Sequence, residues 1–179
     1  WNGGIGTFVK ASDERDADVG DRANDSVRVN GGELGARVVG EGGNLGLTQR
    51  GRIEFALAGG RINTDFIDNA AGVSCSDLEV NIKVVLDAVM ADGQLTWRQR
   101  NELLLAMTDQ VAELALAQNY WQALALSRMV ESPARGLDEI GRFMRFLERQ
   151  ASLDRALWAL PDDEALAART AAGGALTRP

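Results

Sequence analysis

The pattern of apolar and polar positions changes character near residue 78. Before that point apolar residues come in short runs interrupted by most of the chain's 20 glycines; after it, glycine is rare and Ala and Leu dominate. The first region therefore reads as short strands joined by tight turns and the second as almost all helix. Ala36 to Glu41 holds the β-prone run Arg37-Val38-Val39 and stops at glycine. Thr48 is placed to cap a helix running through Leu57, ended by Gly59-Gly60. Arg61 to Asp68 alternates Ile62, Phe66 and Ile67 with polar residues and reads as a second strand. Strand, helix and strand make one crossover, and a right-handed crossover brings both strand ends to one edge of a parallel sheet. The acidic stretch Ala11 to Asp25 reads as a loop with room for one helical turn.

In the second region Ser76-Asp77-Leu78-Glu79 has the form of a capping box. It predicts a helix whose face carries Ile82, Val85, Leu86, Val89 and Met90 and which ends at Asp92-Gly93. Thr96 with Gln99 predicts another box, opening a long helix with Leu104, Met107, Val111 and Leu114 on one side. Further helices are predicted from Tyr120 to Val130, closed by Ser132-Pro133, and from Asp138 to Gln150. A short one ends at Leu160-Pro161, another covers Asp162 to Arg169, and a flexible tail begins at Thr170. Trp97, Trp121 and Trp158 are expected to anchor helix packing. The fold class that results is α/β followed by an all-α C-terminal segment, divided as 1–78 and 79–179.

Composition narrows the chemistry. With 45% hydrophobic residues among 179 there is enough apolar material for a core, and no apolar run reaches the roughly 18 residues of a spanning helix. A net charge of −7 speaks against a nucleic-acid surface. Cys75 is the single cysteine, which excludes an internal disulfide and fits a reducing cytoplasm. Histidine is absent, so this stretch offers no His-based metal site, Ser-His-Asp triad or His general base. With Trp1 first and Pro179 last, the chain reads as a piece of a longer polypeptide.

The residues that invite chemistry lie in two turns, Glu41-Gly42-Gly43-Asn44 and Asn69-Ala70-Ala71-Gly72-Val73-Ser74-Cys75-Ser76. Asn offers two donors and an acceptor and so matches another carboxamide group for group; it is also an ordinary turn residue. Ser76 is first a helix cap, and a helix N-terminus also favours a carboxylate. The glycines at 40, 42, 43 and 46 do not keep the spacing of a dinucleotide fingerprint. Gly3-Gly4-Ile5-Gly6-Thr7 lacks the Lys of a phosphate loop and is expected to line a cleft. Asp21, Asn24 and Asp25 lack calcium-loop spacing. Lys10 reads as a surface cation and Cys75 as a small packed residue. No metal ligands are assigned.

The first turn resembles the EGAN motif of the glutamate dehydrogenase superfamily, and the second its NAGGV-x-x-S motif, with Glu79 at the Glu of S-x-x-E. Trp1 to Lys10, Val19 to Asp25 and Asn63 to Asn69 resemble the large multidomain bacterial NAD-specific branch, and the helical part is similar to the segment C-terminal to these motifs in that branch. The resemblance covers essentially the whole chain. It implies a partial Rossmann-like sheet, with residues 1–78 as the C-terminal part of an NAD-binding catalytic domain and 79–179 as a helical segment. It implies NAD as cofactor and the conversion of L-glutamate to 2-oxoglutarate and ammonium. On it, Asn44 and Asn69 lie by the nicotinamide carboxamide and ribose, and Gly42, Gly43 and Gly72 let backbone approach the cofactor. Ser76 then holds a substrate carboxylate. The catalytic Lys and Asp and the phosphate-binding glycine finger belong upstream, so no catalytic residue is assigned here and the segment alone is expected to be inactive. Partners implied are the rest of the same polypeptide and further copies in a homo-oligomer, with no nucleic acid and no membrane. Ala71 stands where the common motif has Gly, Gly43 where it has Ala, and Leu47-Thr48-Gln49 where shorter enzymes carry a Pro-containing run. Two alternatives stay open: another NAD-dependent amino-acid dehydrogenase, or a structural and assembly module whose chemistry lies elsewhere.

Overall fold

The computed structural model describes residues 1–131 and 136–179. Two strands, β1 (Val9–Lys10) and β2 (Val29–Asn30), pair in parallel, with Val9 opposite Val29. Single parallel bridges join Val9 to Leu47, Asn2 to Glu41 and Val38 to Arg61. The short helix α1 (Asp16–Val19) and a 3₁₀ turn, Arg22–Val27, lie between the two strands. Helix α2 (Gln49–Leu57) starts at Thr48, whose side chain accepts from the Gly51 amide, as its position before the helix predicts.

The sheet is smaller than expected. Ala36 to Glu41 contributes two isolated bridges and no strand, and Arg61 to Asp68 contributes one bridge before turning into helix α3 (Asp65–Asp68). A partial Rossmann-like sheet is therefore not formed among the described residues, which are mostly helical with one small two-stranded parallel ladder. The reason is local. Asp65 and Asp68, three positions apart, share one face of α3 and both accept amides of the first Asn turn, so the segment coils where alternation predicted extension.

A π-turn, Ala70–Ser74, runs without a break into α4 (Cys75–Ala91). Ser76 lies inside α4, and the helix does not begin with a Ser76 capping box. The coil already starts at Ala70, whose carbonyl accepts the Cys75 amide, so the amides near Ser76 need no cap. The Thr96–Gln99 box is present at α5 (Trp97–Ala106). Helix α6 (Thr108–Glu131) takes in both the second half of the predicted long helix and the Tyr120 to Val130 stretch. The predicted stop at Ser132-Pro133 lies outside the described residues. Helix α7 (Leu137–Gln150) comes next. The predicted helix ending at Leu160-Pro161 is a series of turns. Asp162 then caps α8 (Asp163–Ala171) by accepting the Ala165 amide.

Two small apolar cores result. Val9, Leu47, Phe55 and Ile62 form the first, under the ladder and α2. Leu137, Met144 and Leu166 form the second, between α7 and α8. The tail is not free: Arg178 donates to the Ser127 hydroxyl at 2.9 Å and the Ala123 carbonyl at 3.1 Å on α6, and also bonds Asn63. Trp97, Trp121 and Trp158 are all more than half exposed and do not anchor a core. Trp97 instead carries the Arg100 guanidinium over its ring at 4.9 Å, while Arg100 reaches back to Asp87 on α4 at 2.9 Å. No helix among the described residues is long and apolar enough to cross a membrane.

Candidate functional site

The two Asn turns meet. Asn69 Nδ2 donates to Asn44 Oδ1 at 2.8 Å, across 25 residues of sequence. Asn69 is buried, and its Oδ1 accepts the Gly72 amide at 2.8 Å, which fixes the amide orientation and opens the π-turn. Wide helical turns of this kind recur at functional sites. Asn44 is exposed, and among the described residues its Nδ2 has no partner. The pair thus presents a free carboxamide edge to solvent, backed by a second carboxamide that is locked in place.

The glycines have a reason in the fold as well. A Cβ on Gly42 would run into the Trp1 indole, and one on Gly43 would come within 2.6 Å of the Gly4 carbonyl oxygen. A Cβ on Gly72 would meet Asn69 Oδ1 at 2.5 Å and Nδ2 at 2.7 Å. Each glycine lets one turn close against its neighbour, and Gly72 in particular leaves space for the Asn69 side chain. Ser76 is exposed on the first turn of α4, away from any open helix end. The structure therefore brings together Asn44, Asn69 and the three glycines, with Ser76 further along the same continuous coil.

Residues that the sequence did not assign to the site hold this arrangement. Glu41 is fully buried and Arg52 nearly so. Arg52 Nε lies 2.7 Å from Glu41 Oε2 and Nη2 lies 3.0 Å from Oε1, a two-pronged ion pair. Glu41 Oε1 also accepts the Leu47 amide at 3.2 Å, and Asp65 Oδ2 the Leu45 amide at 2.7 Å. Asp68 accepts the Glu41 amide at 3.1 Å and the Asn63 carboxamide at 2.8 Å. Asn119 on α6 donates to the Ile67 carbonyl just ahead of Asn69. Glu41 had a sequence signal, a lone carboxylate closing an apolar run; Arg52 and Asn119 had none, because each is one polar residue among several on its helix.

The loop before β2 is stitched by its own polar groups. The Asp21 carboxylate accepts Asn24 Nδ2 at 2.7 Å and the Thr7 amide at 2.8 Å, and these bonds hold its pKa below the usual Asp range. Asp25 and Asp16 pair with Arg28. Lys10 is half-buried and donates to Asn30 Oδ1 at 2.6 Å, so it fastens the ladder rather than standing free at the surface.

The family model for the bacterial NAD-glutamate dehydrogenase catalytic domain matches residues 1–129, which span both Asn turns and α4 to most of α6. The chain belongs to that family. It is 56% identical over 179 residues to a Halomonas elongata protein called NAD-specific glutamate dehydrogenase. It is 58% identical over 178 residues to the Pseudomonas aeruginosa protein of that name and 49% identical over 179 to the Mycobacterium tuberculosis one. These alignments cover 99–100% of the chain and 11% of each relative's length.

Proposed function

We propose that this chain is the nicotinamide-facing wall of an NAD-dependent enzyme that converts L-glutamate, NAD and water to 2-oxoglutarate, ammonium and NADH. The observation that carries the reading is the Asn69–Asn44 bond at 2.8 Å, which leaves an exposed carboxamide in the turn that resembles the EGAN motif. NAD, when bound, accepts the hydride from the substrate carbon. What these residues supply is orientation: the free Asn44 NH₂ donates to the nicotinamide carboxamide, and Asn69, held by Gly72, keeps Asn44 in register. Gly42, Gly43 and Gly72 keep both turns close enough for that contact. Ser76 offers its exposed hydroxyl to a substrate carboxylate; with no open helix end beside it, this contact rests on the hydroxyl alone. The proton-transfer groups and the phosphate-binding finger come from elsewhere in the polypeptide, the division near residue 78 belongs to the same reading, and the enzyme works in the cytoplasm as a homo-oligomer.

Hydrogen-exchange footprinting of the full-length polypeptide tests the wall. NAD should protect Gly42 to Asn44 and Asn69 to Ser76; no protection would favour a purely structural module. An amino-acid panel assayed on the same protein tests the substrate: turnover of glutamate far above leucine or phenylalanine is expected, and the reverse would assign a different amino-acid dehydrogenase.

A further inference from the structure

We propose that Arg52 is the positioning residue of this wall: it holds the strained turn that aims Asn44. The inference rests on the nicotinamide-facing reading above. Directly after Asn44, Leu45 has φ +60°, a left-handed conformation that a leucine adopts at a cost. Leu45 is largely exposed, so no packing of its own side chain sustains that backbone. Such strain persists only where surrounding groups over-determine it. Here two carboxylates do so. Asp65 accepts the Leu45 amide and Glu41 the Leu47 amide, one on each side of Gly46. The Arg52 guanidinium joins the two carboxylates: its fork grips Glu41 at 2.7 and 3.0 Å, and the same Nη2 lies 3.3 Å from Asp65 Oδ2.

One buried cation thereby does three things. It compensates Glu41, which has no exposure to solvent. It ties the residue that opens the first turn to the helix, α3, that leads into Asn69. And it fixes the distance across which Asn69 reaches Asn44. A lysine would keep a charge beside Glu41 but, lacking the planar fork, would not hold both carboxylates. Arg52 touches neither Asn, so its effect on NAD must pass through the Leu45 backbone.

The test is a double-mutant cycle on the full-length enzyme, with kcat and KM measured separately for NAD and glutamate. Arg52→Lys is expected to lower kcat/KM for NAD by about tenfold, the loss of roughly one charge-assisted hydrogen bond. The KM for glutamate should move less than about twofold, since Arg52 bonds Glu41, Gln49 and Asp65 and not Ser76, the residue offered to a substrate carboxylate. In an Asn44→Ala background Arg52→Lys should cost nothing further, because the group it aims is gone. If Arg52→Lys does not accumulate as folded protein, Asp65→Asn carries the same cycle, with the same pattern expected at smaller size. Equal penalties with and without Asn44 would overturn the proposal, as would no loss of NAD efficiency or parallel rises in both KM values. If Asn44→Ala alone leaves NAD kinetics unchanged, the nicotinamide reading fails and the positioning role falls with it. If Asn44→Ala is impaired and Arg52→Lys is not, only the positioning role fails.

Discussion

The glycine-rich region and the helical region reach order by opposite means. In the first, which also holds most of the buried apolar residues, turn after turn is fastened by a carboxylate accepting backbone amides: Asp21 on Thr7, Asp65 on Leu45, Asp68 and Glu41 on the Asn44 turn, Glu54 on Ser12 and Gly32. In the second, secondary structure is regular, but Val84, Val85, Leu105, Leu116, Tyr120 and Trp121 face solvent along α4 to α6. Helices α4 to α6 enclose little apolar core among the described residues; Ala115 is the buried apolar residue there. Precision is thus concentrated where cofactor contact is proposed, in a network of specific bonds, while the helices supply a support whose apolar faces are open in this segment. Buried polar networks position groups closely but fail sharply when one member is lost.

That contrast predicts a hierarchy of damage. Glu41→Ala should be among the most severe changes, because it strips the buried Arg52 charge of its two-pronged partner and leaves only the Asp65 carboxylate at 3.3 Å; the local cost is about 3 kcal/mol. Hydrogen exchange of the Leu45 and Leu47 amides in the full-length polypeptide should accelerate accordingly, and protection equal to wild type would break the comparison. Phe55→Ala removes the largest apolar side chain of the first core and should cost about 3–5 kcal/mol, against about 2–5 kcal/mol for Met144→Ala in the second. The sharper expectation is spatial. Exchange after Phe55→Ala should spread into residues 41–47, whereas Met144→Ala should loosen α7 and α8 and leave both Asn turns protected.

The same contrast divides the features legible in the sequence from those that are not. The caps at Thr48, Thr96 and Asp162 are legible or nearly so, since a side chain meeting an amide three residues on is a local event. Both Asn turns and their glycines are legible as motifs. The strands expected at 36–41 and 61–68 do not form, because a strand needs a ladder partner along its length and these segments find one residue at a time. Ser76 has the spacing of a cap without the role, because the π-turn before it, created by the Asn69 side chain reaching Gly72, has no signature in residue spacing. Arg52 and Arg178 carry no sequence signal because their partners lie 11 and 115 residues away.

Smaller effects probe the helical side. The Asp163 carboxyl is held below the ordinary Asp range by its hydrogen bond from Arg155, aided by the Arg145 charge. A carboxyl with a lowered folded value contributes fully above the ordinary value near 3.8 and loses that contribution as pH falls through the folded one. The α7–α8 pair should therefore loosen only in acid below that value, visible as faster exchange in α8, and Asp163→Asn should flatten the dependence. Val84→Ser, on an open face of α4, should change stability by less than about 0.5 kcal/mol. A larger loss in the full-length protein would show that another part of the polypeptide covers this face.

The most direct test of the central claim, that the two Asn turns form one cofactor-facing unit, is the NAD dependence of the full-length enzyme carrying Asn69→Ala. Asn69 joins the π-turn to Asn44 through one side chain, so its loss should reduce kcat/KM for NAD by at least about tenfold, the equivalent of roughly 1.4 kcal/mol. NAD kinetics indistinguishable from wild type would contradict the account and return both turns to the fold alone.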